Sequence, residues 1–447
     1  MKKLTLTSIV FCLVWCSTTL FARDINCATS DELIAALSDL QDQDNIILTS
    51  ATTYIVQEDA TTDNTTGSQT IISYEDKTIT IKAAENLTIK PTIKGLSLAV
   101  TATTSVGITF ENVILQAAIY KYDLTTQLAW YTDHLFDLGK SSTTALGNVI
   151  FRNCEIRNYG QTIIKANNMP NGPISGGTFL ITGCTIADIN NNGLAGGDAL
   201  MNMNKLLFNS ITITNSTVYN LKTGFYRQNG SVSDLSSTFS MTNCTFNKFC
   251  GCKSSGTKSY FLYTNNGNAE SSIDIEDNIF ANIRNSEGID ILFYQIDGSA
   301  LGSLVIANNN IFNCSDDNIS TKYSTKNATI ENIEPAFDPQ FDNADKGSFY
   351  LMNRELADYE IGDPKWINIP TSIKPIQTET INIITKTNKI YIKSCTPVNY
   401  AIYTIDGRLI SISDTAALSA EIRLTSGAYI VKTWSKTTDI HTKKIIL

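Results

Sequence analysis

Six short segments in the middle of the chain end on a residue suited to handling a sugar. Leu135-Phe136-Asp137, Ile163-Ile164-Lys165, Leu200-Met201-Asn202, Phe225-Tyr226-Arg227, Phe261-Leu262-Tyr263 and Leu292-Phe293-Tyr294 share one pattern, two apolar residues followed by a polar or aromatic one. If these segments stack as strands, the last positions form a column. Aromatic rings can lie on pyranose faces, Lys and Arg can pair with uronate carboxylates, and Asp or Asn oxygens can bind hydroxyls or calcium. Proton abstraction beside a uronate carboxylate needs a base, an acid and positive charge on that carboxylate. Lys165 and Arg227 are the available pair, but two turns of stacking put them about 10 Å apart with Asn202 between them. Glycosidic hydrolysis would need two carboxylates, and the column supplies Asp137 alone. Lys165 and Arg227 therefore stand as weak catalytic candidates, with Asp137, Asn202, Tyr263 and Tyr294 as binding positions.

Other chemistries find less support. His134 and His441 are the two histidines, and nothing around His134 spells a nucleophile turn, which counts against Ser-His-Asp or Cys-His catalysis. Cys250 and Cys252 flank Gly251 with no histidine near in sequence, so no zinc site is expected. Asp316 and Asp317 sit in a polar stretch that reads as a solvated loop. No cofactor is implied, calcium excepted as an ion that the column's oxygens suit. The formal charge of -9 disfavours a non-specific nucleic-acid binder.

A repeat must position the column. The phrase apolar, any, Asn, small, any, apolar recurs seven times, with third positions Asn112, Asn153, Gly183, Asn215, Asn243, Asp277 and Asn308. The spacing of about 30 residues suits one turn of a solenoid. Alternation before the phrase, as in Val149 and Phe151, and after it, as in Cys154 and Ile156, predicts two strands joined by a bend. Asn, Gly and Asp are the residues that tolerate a left-handed backbone, and stacked amides at Asn112, Asn153, Asn215, Asn243 and Asn308 could hydrogen-bond along the axis as a structural ladder. Cys154, Cys184, Ser216 and Cys244 then stack inward as buried small residues. With the apolar-apolar-polar segment, each turn supplies three strands, which predicts an all-β chain built on a right-handed parallel β-helix. One conflict remains within this reading. Strict alternation would put Leu135, Ile163, Leu200, Phe225, Phe261 and Leu292 on the face of the polar column, so either the strands bend or loops cover one side.

The ends complete the outline. Lys2 and Lys3 precede a mostly apolar stretch, and residues 1–22 read as a removable export leader. Thr29-Ser30-Asp31-Glu32 forms a capping box before Leu33, Ile34, Leu37 and Leu40, a short helix able to plug the open end of the solenoid. The β-helix is placed at 23–366, its far end closed by the turn-rich segment from Asp338 to Trp366. A linker at 367–379 precedes a small β-sandwich at 380–447. The polar insertions from Asp63 to Ser68 and from Lys253 to Lys258 are candidate binding loops.

Two phrases in that last region, Tyr403-Thr404-Ile405-Asp406-Gly407-Arg408 and Gly427-Ala428-Tyr429, together with the end Lys443-Lys444, resemble the C-terminal sorting domain read by type IX secretion systems of Gram-negative bacteria. The Asn phrase, the Asp31-Glu32-Leu33 start and the Gly362-Asp363-Pro364-Lys365-Trp366 finish resemble the pectate-lyase-like β-helix superfamily, and more narrowly exported β-helix domains of unknown function. The first resemblance implies the type IX machinery as a partner and a secreted or outer-surface location. The second implies a groove for polysaccharide over the column. Two functions follow as expectations: a surface protein that binds a glycan or a host partner, or a lyase or hydrolase acting on uronate-containing glycans.

Overall fold

A computed structural model describes residues 22–447 except 64–65, 75–76, 101–106, 139–144, 167–173, 191–198, 204–205, 229–235, 250–259, 265–270, 284–290, 295–301, 315–327, 368–380, 387, 414 and 435–440. The leader, Cys250, Cys252, Asp316, Asp317 and the Lys253–Lys258 insertion lie outside the described residues, as does the side chain of Tyr294.

The repeat folds as a parallel β-helix with three walls. Sheet I contains the strands that precede each Asn phrase, among them Gly107–Glu111, Val149–Arg152, Leu206–Thr214 and Ser272–Glu276. Sheet II contains the strands that follow it, such as Glu155–Arg157, Thr217–Leu221 and Ile279–Ile283. Sheet III is eight-stranded among the described residues and runs from Ile72–Tyr74 to Ile291–Tyr294. Pairing within each wall is parallel and in register, so Phe110, Phe151, Ile181, Ile213, Met241, Ile275 and Ile306 are successive neighbours inside sheet I. The interior is apolar and aromatic, with stacked rings at Phe110–Phe151, Phe225–Phe261 and Phe246–Phe280.

The bend is made as the residue types require. Asn112, Asn153, Gly183, Asn215, Asn243, Asp277 and Asn308 all have φ between +50° and +63°, where a β-branched side chain would be strained. Side chains at these bends reach the neighbouring coil along the axis: Asn308 donates to the Asp277 carboxylate, and Asn153 Oδ1 fills the space that a Cβ on Gly183 would need. The next position is a buried ladder. Cys154 N donates to Cys184 Sγ at 3.3 Å, Cys184 N to Ser216 Oγ at 3.1 Å, Cys244 N to Asn278 Oδ1 at 2.9 Å and Asn278 N to Asn309 Oδ1 at 3.0 Å. Burial raises the thiol pKa values of Cys154 and Cys244, which keeps them protonated and makes them packing groups rather than nucleophiles. A second left-handed column lies five residues later, at Asn158, Asp188, Asn220, Lys248, Asn282 and Asn313, just after the strand at Asn158, Asp188 and Asn313 and one residue before its end at Asn220, Lys248 and Asn282.

The amino-terminal helix, Ser30–Ser38, starts on the Thr29 capping box. It buries Leu33, Leu37 and the following Leu40 together with Ala36, whereas Ile34 is exposed, since a residue one position past Leu33 turns about 100° away.

The segment 338–366 corrects the expectation of an end cap. It runs back along the outer flank of sheet II rather than across the open end. Gly362 N donates to Asp277 O at 2.8 Å, Asp363 N to Thr245 Oγ1 at 3.0 Å, and Trp366 Nε1 to Thr217 Oγ1 at 2.6 Å. The cause is sheet II itself, whose outer positions include Tyr219, Ile279 and Ala281. These need cover, and Ile279 and Ala281 receive it from Ile333, Leu351, Leu356 and Ile361, while Phe349 packs on Tyr219. Gly362, at φ +82°, passes so close to sheet II that a Cβ would lie 2.7 Å from Ile279 Cδ1.

The carboxy-terminal strands are antiparallel and have a core of their own, with Ile390, Ile392, Ile402, Val431 and Ile445 buried. The 16-residue strand Lys389–Thr404 is shared by two sheets, pairing with Ile381–Lys386 and Ala417–Arg423 along one half and with Leu409–Ile412 and Ala428–Trp434 along the other. Both phrases singled out in the sequence fall at its turns: Gly407 takes φ +88° between Thr404 and Arg408, and Tyr429 Oη donates to Thr425 O at 2.8 Å.

Candidate functional site

The polar column of sheet III forms as one register line. Asp137 is opposite Lys165, Lys165 opposite Asn202, Asn202 opposite Arg227, Arg227 opposite Tyr263, and Tyr263 opposite Tyr294. The conflict over alternation resolves as a bend within each strand. Leu135 and Phe136 are consecutive and both buried, as are Ile163 and Ile164, Leu200 and Met201, and Phe225 and Tyr226. They face different walls: Phe225 meets Phe246 and Phe249 of sheet II, while Tyr226 meets Phe239 of sheet I. From the second apolar residue onward normal alternation holds. Asp137 points outward between buried Phe136 and buried Leu138, and Lys165 does so between Ile164 and Ala166.

Asp137, Lys165, Arg227 and Tyr263 are half-buried, whereas Asn202 is buried. The Arg227 guanidinium lies 6.0 Å from the Tyr263 ring centroid, within cation-π range. Asn202 does sit between Lys165 and Arg227, so two ladder steps, about 10 Å, separate the two cations. Among the described residues no group of three or more His, Cys, Asp or Glu side chains is placed to hold a metal ion.

His134, which the sequence offered as a base without a nucleophile turn around it, opens the same strand as Asp137, and its Nδ1 is 3.0 Å from Thr162 Oγ1. Burial pushes its pKa down to about 4, the Lys165 charge pushes the same way, and Asp137 opposes both. Beside it, Asp133 N donates to Gln69 Oε1 at 3.0 Å while Gln69 Nε2 donates to Asp133 Oδ2 at 2.5 Å. Tyr120 has its pKa raised by burial and by Asp133. The signal for Gln69 and Asp133 was absent from the sequence, since they lie 64 residues apart.

The His134 environment predicts a pH dependence. The folded state holds the imidazole neutral down to about pH 4, while the unfolded chain takes up a proton near 6.5. The unfolded state then binds more protons in that window, so stability falls as pH drops through it, by on the order of 3 kcal/mol. His134→Gln should flatten that limb of a urea-midpoint curve measured from pH 7 to pH 4. An unchanged slope would mean that His134 is hydrated and titrates normally.

Connection lengths also mark sheet III. In the seven coils from Glu111 to Asn310 the corner between sheets I and II is always two residues long, as between Arg152 and Glu155 or Glu276 and Ile279. The connections entering and leaving sheet III vary from two residues between Leu221 and Gly224 to a full hairpin between Gln116 and His134. The ladders fix the first corner, whereas length variation is tolerated where loops can diversify around a face.

A family model described as a domain of unknown function (DUF5123) matches residues 239–366. That span contains the last coils of the solenoid and the segment that returns along sheet II to Trp366. No curated protein matches the chain.

Proposed function

We propose that this chain is an exported, surface-displayed protein that binds a polysaccharide along the outer face of sheet III. The observation that carries the reading is the register line from Asp137 to Tyr263, in which Asp137, Lys165, Arg227 and Tyr263 are partly exposed sugar-competent side chains. A pyranosyl unit advances a polymer by about one inter-strand spacing of 4.8 Å, so one unit can meet one coil. Lys165 and Arg227 pair with uronate carboxylates, Tyr263 offers a ring and Asp137 binds hydroxyls, while Asn202, buried between the two cations, corrects its expected role as a binding position. The reading is supported by the resemblance to the pectate-lyase-like superfamily, which implies polysaccharide on the same face, and by the resemblance of residues 380–447 to type IX sorting domains, which implies a route to the outer surface.

A second reading, a uronate lyase, is favoured by one observation: a neutral imidazole at His134 close enough to sense both Lys165 and Asp137. Binding remains the better supported of the two because His134 is only 7% exposed and the two cations stand two coils apart.

One design tests both address and activity. The purified chain should be retarded in gels containing uronate polysaccharide, and Lys165→Ala with Arg227→Ala should abolish at least tenfold of that affinity. Intact cells making the whole chain should capture labelled polysaccharide, whereas cells making a chain that ends at residue 379 should not. Retardation without unsaturated product, followed by its absorbance with and without calcium, is the result expected of a binder. Product formation would favour the lyase, and no retardation by any acidic glycan would sink the reading.

A further inference from the structure

The connection that enters sheet III ahead of Asp137 is a two-stranded antiparallel hairpin, Ile119–Asp123 with Leu128–Tyr131. Its root is fixed to the solenoid. Thr132 N donates to Ala118 O at 2.8 Å, Ala118 N to Thr132 Oγ1 at 3.1 Å, Ile119 N to Asp59 Oδ1 at 2.9 Å, and Ala60 N to Ile119 O at 2.7 Å. Beyond the root, Lys121 is opposite Trp130 and Tyr122 opposite Ala129, and the Lys121 ammonium lies 4.3 Å from the Trp130 ring centroid.

Packing accounts for only part of the composition of this hairpin. Tyr131 packs against the solenoid core, whereas Tyr120, Tyr122 and Trp130 are half-buried and belong to none of the buried apolar clusters. A lone two-stranded hairpin is marginally stable in water, and its rings keep part of their surface open to solvent. Partly exposed rings beside a fixed cation have the chemistry of a sugar platform, the ring stacking on a pyranose face while the ammonium meets a carboxylate.

The hairpin is also continuous with the column. Tyr120 meets Gln69 and Asp133, Gln69 and Asp133 hold each other, and the next residue, His134, senses Lys165 and Asp137. The hairpin is thereby tied, through Gln69 and Asp133, to the start of the strand that carries Asp137.

We infer that the hairpin is a stacking subsite for a uronate-containing glycan, in which Trp130 carries a sugar ring and Lys121, on the same face, its carboxylate, at the amino-terminal end of the track over sheet III. This rests on the glycan reading above, and it adds that affinity rises with chain length until the hairpin is reached.

Calorimetric titration of the whole chain with uronate oligosaccharides of graded length tests it. Trp130→Ala should weaken the longest oligosaccharides by about tenfold and leave the shortest bound as before, and Trp130→Phe should restore most of the loss. Lys165→Ala should weaken every length. Far-ultraviolet circular dichroism of each variant separates loss of the subsite from loss of the fold. If Trp130→Ala matches the wild type at all lengths while Lys165→Ala does not, the hairpin is no subsite and the glycan reading survives. If the wild type binds no oligosaccharide, both fall together.

Discussion

Asn278→Leu should destabilise the last coils of the solenoid by about 3 to 5 kcal/mol, the sum of two or three buried polar groups left without partners. The substitution keeps the number and branching of side-chain heavy atoms while deleting the amide, so the loss combines the missing hydrogen bonds with the bulk of two methyls. Asn278 is fully buried. Its Oδ1 accepts from Cys244 N at 2.9 Å, and its Nδ2 donates to Met241 O, Glu276 O and Asn309 Oδ1 at 2.8 to 2.9 Å. Leucine supplies none of these, and the Cys244 amide cannot reach water to compensate. Because a solenoid couples mainly nearest neighbours, the damage should be regional. Hydrogen exchange should accelerate at amides between about 241 and 311 while those of the Gly107–Glu111 coil keep their protection. A urea midpoint within 1 kcal/mol of the wild type would show that the interior ladder is packing and not hydrogen bonding.

Such a ladder is visible in the sequence because its cause is local. Each bend needs a left-handed residue, and the only economical answers are Asn, Gly and Asp, so the repeat announces itself at Asn112, Asn153, Asn215, Asn243 and Asn308. The register of Asp137, Lys165, Asn202, Arg227 and Tyr263 was legible for the same reason, since equal bends impose equal alignment. The second left-handed column at Asn158, Asn220 and Asn282 was equally available, five residues on, yet Lys248 and Asp188 break its uniformity of type. What the sequence hid was everything decided by distant chain. The bend between Phe225 and Tyr226 depends on which wall each ring meets. Gln69 and Asp133 meet only because coils stack. Nothing in residues 338–366 says that they travel backward along sheet II, because that path is set by Ile279 and Ala281, which lie far upstream.

That backward path makes the second large effect. Trp366→Ala should cost about 3 to 5 kcal/mol, the range for truncating a buried aromatic side chain. The indole is only 7% exposed, with the rings of Phe349 and Tyr350 at centroid distances of 5.9 and 5.1 Å. Its N–H is tied to Thr217 Oγ1, which in turn donates to Asp363 Oδ2 at 2.6 Å. Removing the indole leaves the Thr217 to Asp363 bond intact, so the loss is mostly packing, and its consequence is release of the returning segment from sheet II. Ile279, Ala281 and Tyr219 would then meet water. Limited proteolysis should cut first between 338 and 366 in the variant, whereas the wild type should resist cleavage there. Asp363 adds a pH signature to the same clasp. Burial raises its pKa, so the folded state binds more protons than the unfolded one above the usual carboxylate value of about 3.9. Clasp stability therefore falls as pH rises through that window. Asp363→Asn should remove this slope, and Trp366→Ala, by releasing the segment and hydrating Asp363, should weaken it. If proteolysis of Trp366→Ala begins instead in the carboxy-terminal strands, the returning segment is held by contacts other than its tryptophan.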